Sequence, residues 1–260
     1  KEALKIFGRR GISEHIYENL VEDAKDAPED LKIRIYYALS RYMKEKRVSI
    51  KGKTYDVLET KCFKEILDMI YQDAVQHLPD NANYRIRKDE VKVELPVRVN
   101  WGGGWTDTPP HCNEKGGVVL NAAIKLKGIY PVQVSIRKLD VLHVEFESQD
   151  IGVSGVAKTV AEIQDCYNPY DSFALHKAAL IACGIIPQSG EANLQEILQK
   201  LGGGIYLSTQ VVGVPKGSGL GTSSILSAAC VKAIFQFLGK ELDNSKISEI
   251  VLCMEQIMST

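Results

Sequence analysis

From Gly204 to Leu238 a strand-like run, "GIYLSTQVV", a loop, "GVPKGSGLGTSS", and an apolar helical pattern, "ILSAACVKAIFQFL", follow one another directly. No other stretch restricts the fold as strongly. Gly217, Gly219 and Gly221 stand at alternate positions, so the loop backbone is free of Cβ atoms and able to take positive φ. Successive amides in such a loop converge into an anion-binding nest. The helix that starts at once adds its unpaired N–H groups and its dipole to the same positive site. Thr222, Ser223 and Ser224 place three hydroxyls at that helix start, in reach of phosphate or Mg²⁺. Lys216, Ser218 and Leu220 complete a candidate phosphate cradle running from 216 to 224. No Gly-Lys-Ser/Thr closes the loop, so it is not a Walker A sequence. The spacing is G-x-G-x-G, with no acidic residue on a following strand, so it is not a dinucleotide fingerprint. The plainer reading is a capped helix start, which needs one or two hydroxyl residues but not three spaced glycines. The chemistry fits a nucleoside triphosphate.

A second stretch, "RVNWGGGWTDTPP", covers Arg98 to Pro110. Its three glycines permit either a turn between strands or a close approach of backbone to a ligand. Asp107 is either a turn aspartate ahead of Pro109 and Pro110 or a carboxylate that grips paired hydroxyls. Arg98 alone would be an unremarked strand arginine. Trp105 can offer an apolar face to a ring, whereas Trp101, by its strand-like spacing, is expected in the core.

Around these stretches the periodicity changes once. Residues 1–90 are helical in pattern and charged. Leu31, Ile35, Leu39 and Met43 recur at i+4 after a start signal at Asp26 and Pro28. Phe63, Ile66, Leu67, Ile70, Ala74 and Leu78 form a second apolar face, closed by the turn sequence "LPDNAN". This part is expected to be a packing element or an interdomain connector. From Val91 the period becomes two: "VKVELPVRV", "GVVLNAAI", "GIYPVQVSIRK" and "VLHVEFES" predict four strands. Helices over about 170–183 and 191–200 follow, then the strand, loop and helix described above, and a last helix from about Ser245. The chain is therefore predicted to be a helical segment over 1–90 and an α+β domain over 91–260.

With 32 basic and 33 acidic residues the net charge is −1, so nothing draws the chain to nucleic acid or acidic membranes. No apolar run is long enough to span a bilayer, and the first residues lack a signal-peptide pattern. Six cysteines are scattered with no C-x-x-C pair, which disfavours a zinc site or a disulfide framework. A reducing cytoplasm suits them best. The chain opens without methionine and stops inside a helical pattern, so it reads as a piece of something longer.

P-x-G-x-G-L-G-[ST]-S resembles the phosphate-binding motif of the galactokinase–homoserine kinase–mevalonate kinase–phosphomevalonate kinase (GHMP) superfamily. Pro96, Arg98, Val99, Asn100, Thr106 and Asp107 are similar, at ungapped spacing, to its first motif. Within it, G-G-W-[ST]-D-T-P-P followed by "GGVVLNAAI" most resembles the L-fucokinases. The resemblance covers about Val91 to Thr260. It implies a GHMP-kinase N-terminal domain with a left-handed βαβ unit, against the usual crossover rule, and ATP and Mg²⁺ as cofactors. By position it implies Arg98 at the phosphoryl group, Asp107 on sugar hydroxyls, and Ser223 on Mg²⁺. Glu255 stands beside Val251, Met254 and Met258 and matches the family's Mg²⁺ glutamate; a snorkelled surface glutamate is the alternative. His111 and His143 have no partners at catalytic spacing.

Galactokinases carry Glu-His where this chain has Gly104-Trp105. An apolar residue suits the methyl of a 6-deoxy sugar such as L-fucose. The implied activity is ATP-dependent phosphorylation of the anomeric hydroxyl of L-fucose, toward GDP-fucose. The family's general-base aspartate is expected beyond Thr260, and so is its C-terminal domain, which would leave this piece inactive alone. Some related fucokinases are fused to a fucose-1-phosphate guanylyltransferase, and the resemblance implies such a further domain. Two other readings stand: a heptose-phosphate kinase of the same superfamily, and a relative that binds nucleotide without turnover.

Overall fold

The side chain of Ser13 accepts a hydrogen bond from the Ile16 amide and caps the first helix, α1 (Glu14–Asp23). The computed structural model describes residues 11–76, 83–108, 110–166, 171–215 and 217–258. Two compact units divide the chain, Lys1–Asp73 and Ala74–Thr260.

In the first unit α1 is followed by α2 (Glu29–Lys46) and α3 (Tyr55–Gln76). Glu29 and Asp30 open α2, and Lys44 and Lys46 close it, matching the helix dipole at both ends. The helices enclose Tyr17, Tyr36, Leu39, Met43, Leu58 and Cys62. The i+4 pattern thus locates Leu39 and Met43 in the core, but Leu31 at its start is 46% exposed. Phe63, expected on the buried face of α3, is 62% exposed, and Cys62 takes the inward position instead. One residue is a turn of about 100° on a helix, enough to reverse inside and outside. Leu78 and most of the "LPDNAN" turn lie outside the described residues.

The second unit is α+β. Its main sheet has the order β1–β4–β7–β5–β6, built from β1 (Glu90–Leu95), β4 (Val132–Leu139), β7 (Gly204–Val211), β5 (Val144–Ser148) and β6 (Val153–Ala157). All pairs are antiparallel except β5 with β7. The chain passes from β6 to β7 through α5 (Val160–Gln164), α6 (Ala174–Ala182) and α7 (Leu194–Leu201). Strand β4 alternates cleanly: Val132, Val134 and Ile136 are buried, while Gln133 and Ser135 are not.

"VKVELPVRV" is two strands, not one. Pro96 lacks the N–H a central strand must donate, so the chain leaves the sheet there. Val97–Gly102 becomes β2, which among the described residues pairs only with β3 (Leu120–Ile124) in a separate antiparallel ribbon. Between them lies a loop holding the short helix α4 (His111–Lys115). The helix after the glycine loop, α8 (Thr222–Phe237), is buried almost all round, through Ala229, Cys230, Val231, Ile234 and Phe235 among others. It packs on β1 and β4 and against α9 (Asn244–Ile257), which Asp243 caps. Cys183, Cys230 and Cys253 are buried free thiols, their acidity suppressed by burial. Among the described residues no helix is long and apolar enough to cross a membrane.

Candidate active site

The glycine loop has the conformation its spacing predicts. Gly217, Gly219 and Gly221 have φ of +74°, +71° and +68°, all in the left-handed region that other L-residues occupy at a cost. Around Gly217 and Gly219 the space is open. Gly221 is the N-cap of α8, and no side chain caps that end. The first amides of α8 are therefore left for a ligand, at the positive end of a 16-residue helix. Ser218 Oγ lies 3.5 Å from the Leu220 amide, an internal brace of the loop. Lys216 lies outside the described residues.

The ribbon meets this loop through its backbone. The Arg98 amide donates to the Leu220 carbonyl at 3.4 Å. The Arg98 side chain is exposed and lies beside Gly221, where an added Cβ would stand 3.7 Å from Nε. Ser224 donates from its hydroxyl to Oε1 of Glu255, joining the first turn of α8 to α9. Ser223 is exposed on the same turn, and Thr222 is half-buried. Arg98 and Ser224 also line a largely aliphatic cavity of about 440 Å³, with Val97, Ile225 and Val251 among its walls. That volume is within the range of small-molecule sites.

At the far end of β2 the triple glycine does local work. An added Cβ on Gly103 would strike the Val118 carbonyl at 1.9 Å, and one on Gly104 the Asn100 Nδ2 at 2.1 Å. The glycines thus let the loop's own backbone and Asn100 close up. Asn100 Oδ1 accepts from the Gly102 amide, and this side chain fills the space over Gly104. Thr106 is the pin of the loop: its Oγ1 lies 2.5 Å from the Gly103 carbonyl and 3.0 Å from that of Val118. It also accepts from the Val118 amide at 3.1 Å. The motif match singles out Asn100 and Thr106 in the sequence, but nothing in it assigns them these two bracing roles.

Trp105 and Asp107 are exposed on this braced loop, Trp105 at 84%. Trp101 is 70% exposed, not in the core. It falls at the irregular end of the ribbon, where the register shifts between Asn100 and Gly102, and not at the covered end near Val97. From Arg98 to Gly102 is about 13 Å of strand, so Arg98 sits at the base of the ribbon and the Trp105–Asp107 loop at its tip. His111 is exposed at the start of α4, and His143 bonds Glu145 at 2.9 Å. The structure thus joins Arg98 to the glycine loop and Glu255 to Ser224.

Comparison with known proteins bears on these positions. Residues 191–260, which include the glycine loop and Glu255, match the GHMP kinases N terminal domain. The chain is 32% identical over 250 residues to an L-fucokinase/L-fucose-1-P guanylyltransferase of Bacteroides fragilis, covering 94% of this chain and 26% of that protein. It is 38% identical over 170 residues to a bifunctional fucokinase/GDP-fucose pyrophosphorylase of Arabidopsis thaliana, covering 65% of this chain and 15% of that one. The chain therefore spans about a quarter or less of these relatives. The mevalonate kinase of Methanococcus jannaschii aligns in structure with a TM-score of 0.49 at 20% identity, over 66% of this chain and 48% of that one.

Proposed function

We propose that this chain, whose residues 191–260 match the GHMP kinase N-terminal domain, holds the nucleotide and sugar sites of a sugar 1-kinase. The reaction is transfer of the γ-phosphoryl group of ATP to the anomeric hydroxyl of L-fucose. The observation that carries this reading is the seat of Arg98 against Gly221 and Leu220. It sets a cation beside an uncapped helix start. The names of the two relatives support L-fucose as the sugar.

Phosphoryl transfer asks mainly for positioning and charge stabilisation. In this site the amides of Gly217 to Ser224 receive the phosphates, and the Arg98 guanidinium stabilises charge on the transferring oxygens. Asp107 accepts two hydroxyl hydrogens of the sugar, which fixes a diol. Trp105 covers an apolar edge of the ring. Because Asn100 fills the space over Gly104, Trp105 is the side chain of that pair that meets the 6-methyl group.

The residues present fit Mg²⁺. Glu255, Ser223 and the ligand's phosphates supply only hard oxygen donors, and Mg²⁺ characteristically takes few protein ligands beside phosphate and water. Among the described residues no cluster of three or more His, Cys, Asp or Glu forms a dedicated metal cage. Glu255 and Ser223 would hold the ion; when bound it supplies positive charge at the phosphate oxygens. In the same reading the polypeptide carrying this chain also bears a fucose-1-phosphate guanylyltransferase, with residues 1–90 as the connecting helical segment. Both relatives are named as bifunctional enzymes of that kind.

The test is a phosphorylation assay on the complete gene product with ATP, Mg²⁺ and a panel of sugars. L-Fucose turnover is expected. Turnover of a heptose phosphate without L-fucose would replace the substrate, and nucleotide binding with no sugar turnover would remove the kinase assignment.

A further inference from the structure

Ser223 and Ser224 are adjacent and both exposed, but among the described residues only the Ser224 side chain has a partner. Successive residues on an α-helix are rotated by about 100°. The Ser223 side chain is exposed and makes no hydrogen bond among the described residues, so its hydroxyl is open to a ligand. The Ser224 hydroxyl donates to Glu255 Oε1, across 31 residues of sequence. Glu255 is half-buried on α9, between the buried Met254 and Ile257 one turn apart. A glutamate side chain has several staggered rotamers to choose from, at a cost in order on binding. A hydroxyl on Oε1 selects one of them. It leaves acceptor capacity on the carboxylate, which offers about four lone-pair sites in all.

We infer that Ser224 is a positioning residue for the Glu255 carboxylate, which it orients toward the mouth of the glycine loop for a divalent cation carried by the nucleotide. The inference rests on the nucleotide reading given above, and it separates two hydroxyls that sequence alone treats alike. Ser223 is the hydroxyl that meets the ligand. Ser224 acts one step back, through a carboxylate, in the way outer partners orient metal ligands in general. The first turn of α8 contributes to the same end, because its uncapped amides favour a negative charge beside them.

The experiment is calorimetric titration of ADP into the complete gene product, with Mg²⁺ and with EDTA, for the wild type and for Ser224→Ala, Ser224→Thr and Glu255→Gln. Melting temperatures are recorded alongside, to show that each variant is folded. The expected result is that Ser224→Ala weakens ADP binding about tenfold in Mg²⁺, the low end for loss of such an outer partner, and leaves the EDTA value unchanged. Ser224→Thr, which keeps the hydroxyl, should restore the Mg²⁺ value. Glu255→Gln should show the same Mg²⁺-only loss, at least as large. Equal losses by Ser224→Ala in Mg²⁺ and in EDTA would place its hydroxyl on the phosphates and overturn the inference. No loss in either would reduce the contact to packing and overturn it too. A folded wild type that binds no ADP under either condition would overturn the nucleotide reading itself, and this inference with it.

Discussion

The Arg98 guanidinium is what a side chain at Gly221 would meet first among the described residues: a Cβ built on that glycine would lie 3.7 Å from Nε and 4.0 Å from Nη2. Those distances are ordinary van der Waals contact, so crowding is not what bars a side chain there. The φ of +68° is. An L-residue in the left-handed region costs about 1–2 kcal/mol. Gly221→Ala should therefore lower unfolding stability by about 1 kcal/mol and turn the amides at the start of α8 off their common target. Gly217→Ala, at +74° in open space, is the control for strain without Arg98 nearby. ADP affinity measured by calorimetry should fall in both. Full affinity in both would show that the loop does not depend on left-handed glycines.

Trp105 stands at φ +71° with 84% of its surface exposed, so its ring is not buried in compensation for the strain. Strain held at an exposed residue is a feature of functional loops. Trp105→Gly removes the strain and should raise stability by about 1 kcal/mol. Its effect on sugar should run the other way, with the KM for L-fucose rising and ADP affinity unchanged. A variant that is more stable and has the wild-type KM would take Trp105 out of the sugar site.

Thr106 and Asp107 divide one task between bracing and binding. Thr106→Val keeps the shape but removes the oxygen that holds Gly103 and Val118 together. These bonds are exposed, so water takes over the freed backbone groups in part and the loss should be about 0.5–1.5 kcal/mol. Asp107→Ala, exposed and without a structural bond to lose, should leave stability near wild type. Both variants should lose L-fucose affinity and retain that for ADP. Only Thr106→Val should also lower the melting temperature. Equal destabilisation by the two would mean that Asp107 serves the loop and not the sugar.

The glycine loop was legible because positive φ is a local demand that glycine alone meets without strain. The sheet strands were legible where one face is covered, as in the alternation of Val132, Val134 and Ile136. The same alternation misled at Pro96 and at Trp101, because a period of two says which side a residue faces and not whether anything lies there. β6 carries no strand signal in the sequence, since Ser154 and Gly155 have little strand propensity. Gly155 is nonetheless required, as the Phe173 ring lies 2.6 Å from where its Cβ would be. The Ser224–Glu255 bond joins residues on two helices, and no spacing rule reaches across 31 positions to a particular hydroxyl.

His176 gives the second unit a pH dependence that does not involve the candidate site. It is 2% exposed, and its ring lies 5.7 Å from that of Phe146 and 5.6 Å from that of Phe173. Nε2 is 3.1 Å from the Glu147 carbonyl and 3.1 Å from Thr209 Oγ1, and among the described residues Nδ1 has no partner. Burial holds the imidazole neutral and pushes its pKa down to about 4, against the opposing pull of the Glu147 carbonyl and of Asp171 and Asp150. In the unfolded chain it titrates near 6.5. Between those values the unfolded state binds more protons, so stability is full above pH 6.5 and falls as pH drops toward 4. The loss amounts to about 3 kcal/mol. His176→Phe fills the aromatic cluster but leaves the Glu147 carbonyl and Thr209 hydroxyl without the ring nitrogen, at about 1–3 kcal/mol. Denaturant unfolding from pH 7 to pH 4 should show the variant less stable at neutral pH and with a shallower slope than the wild type. An unchanged slope would assign the acid sensitivity to other groups.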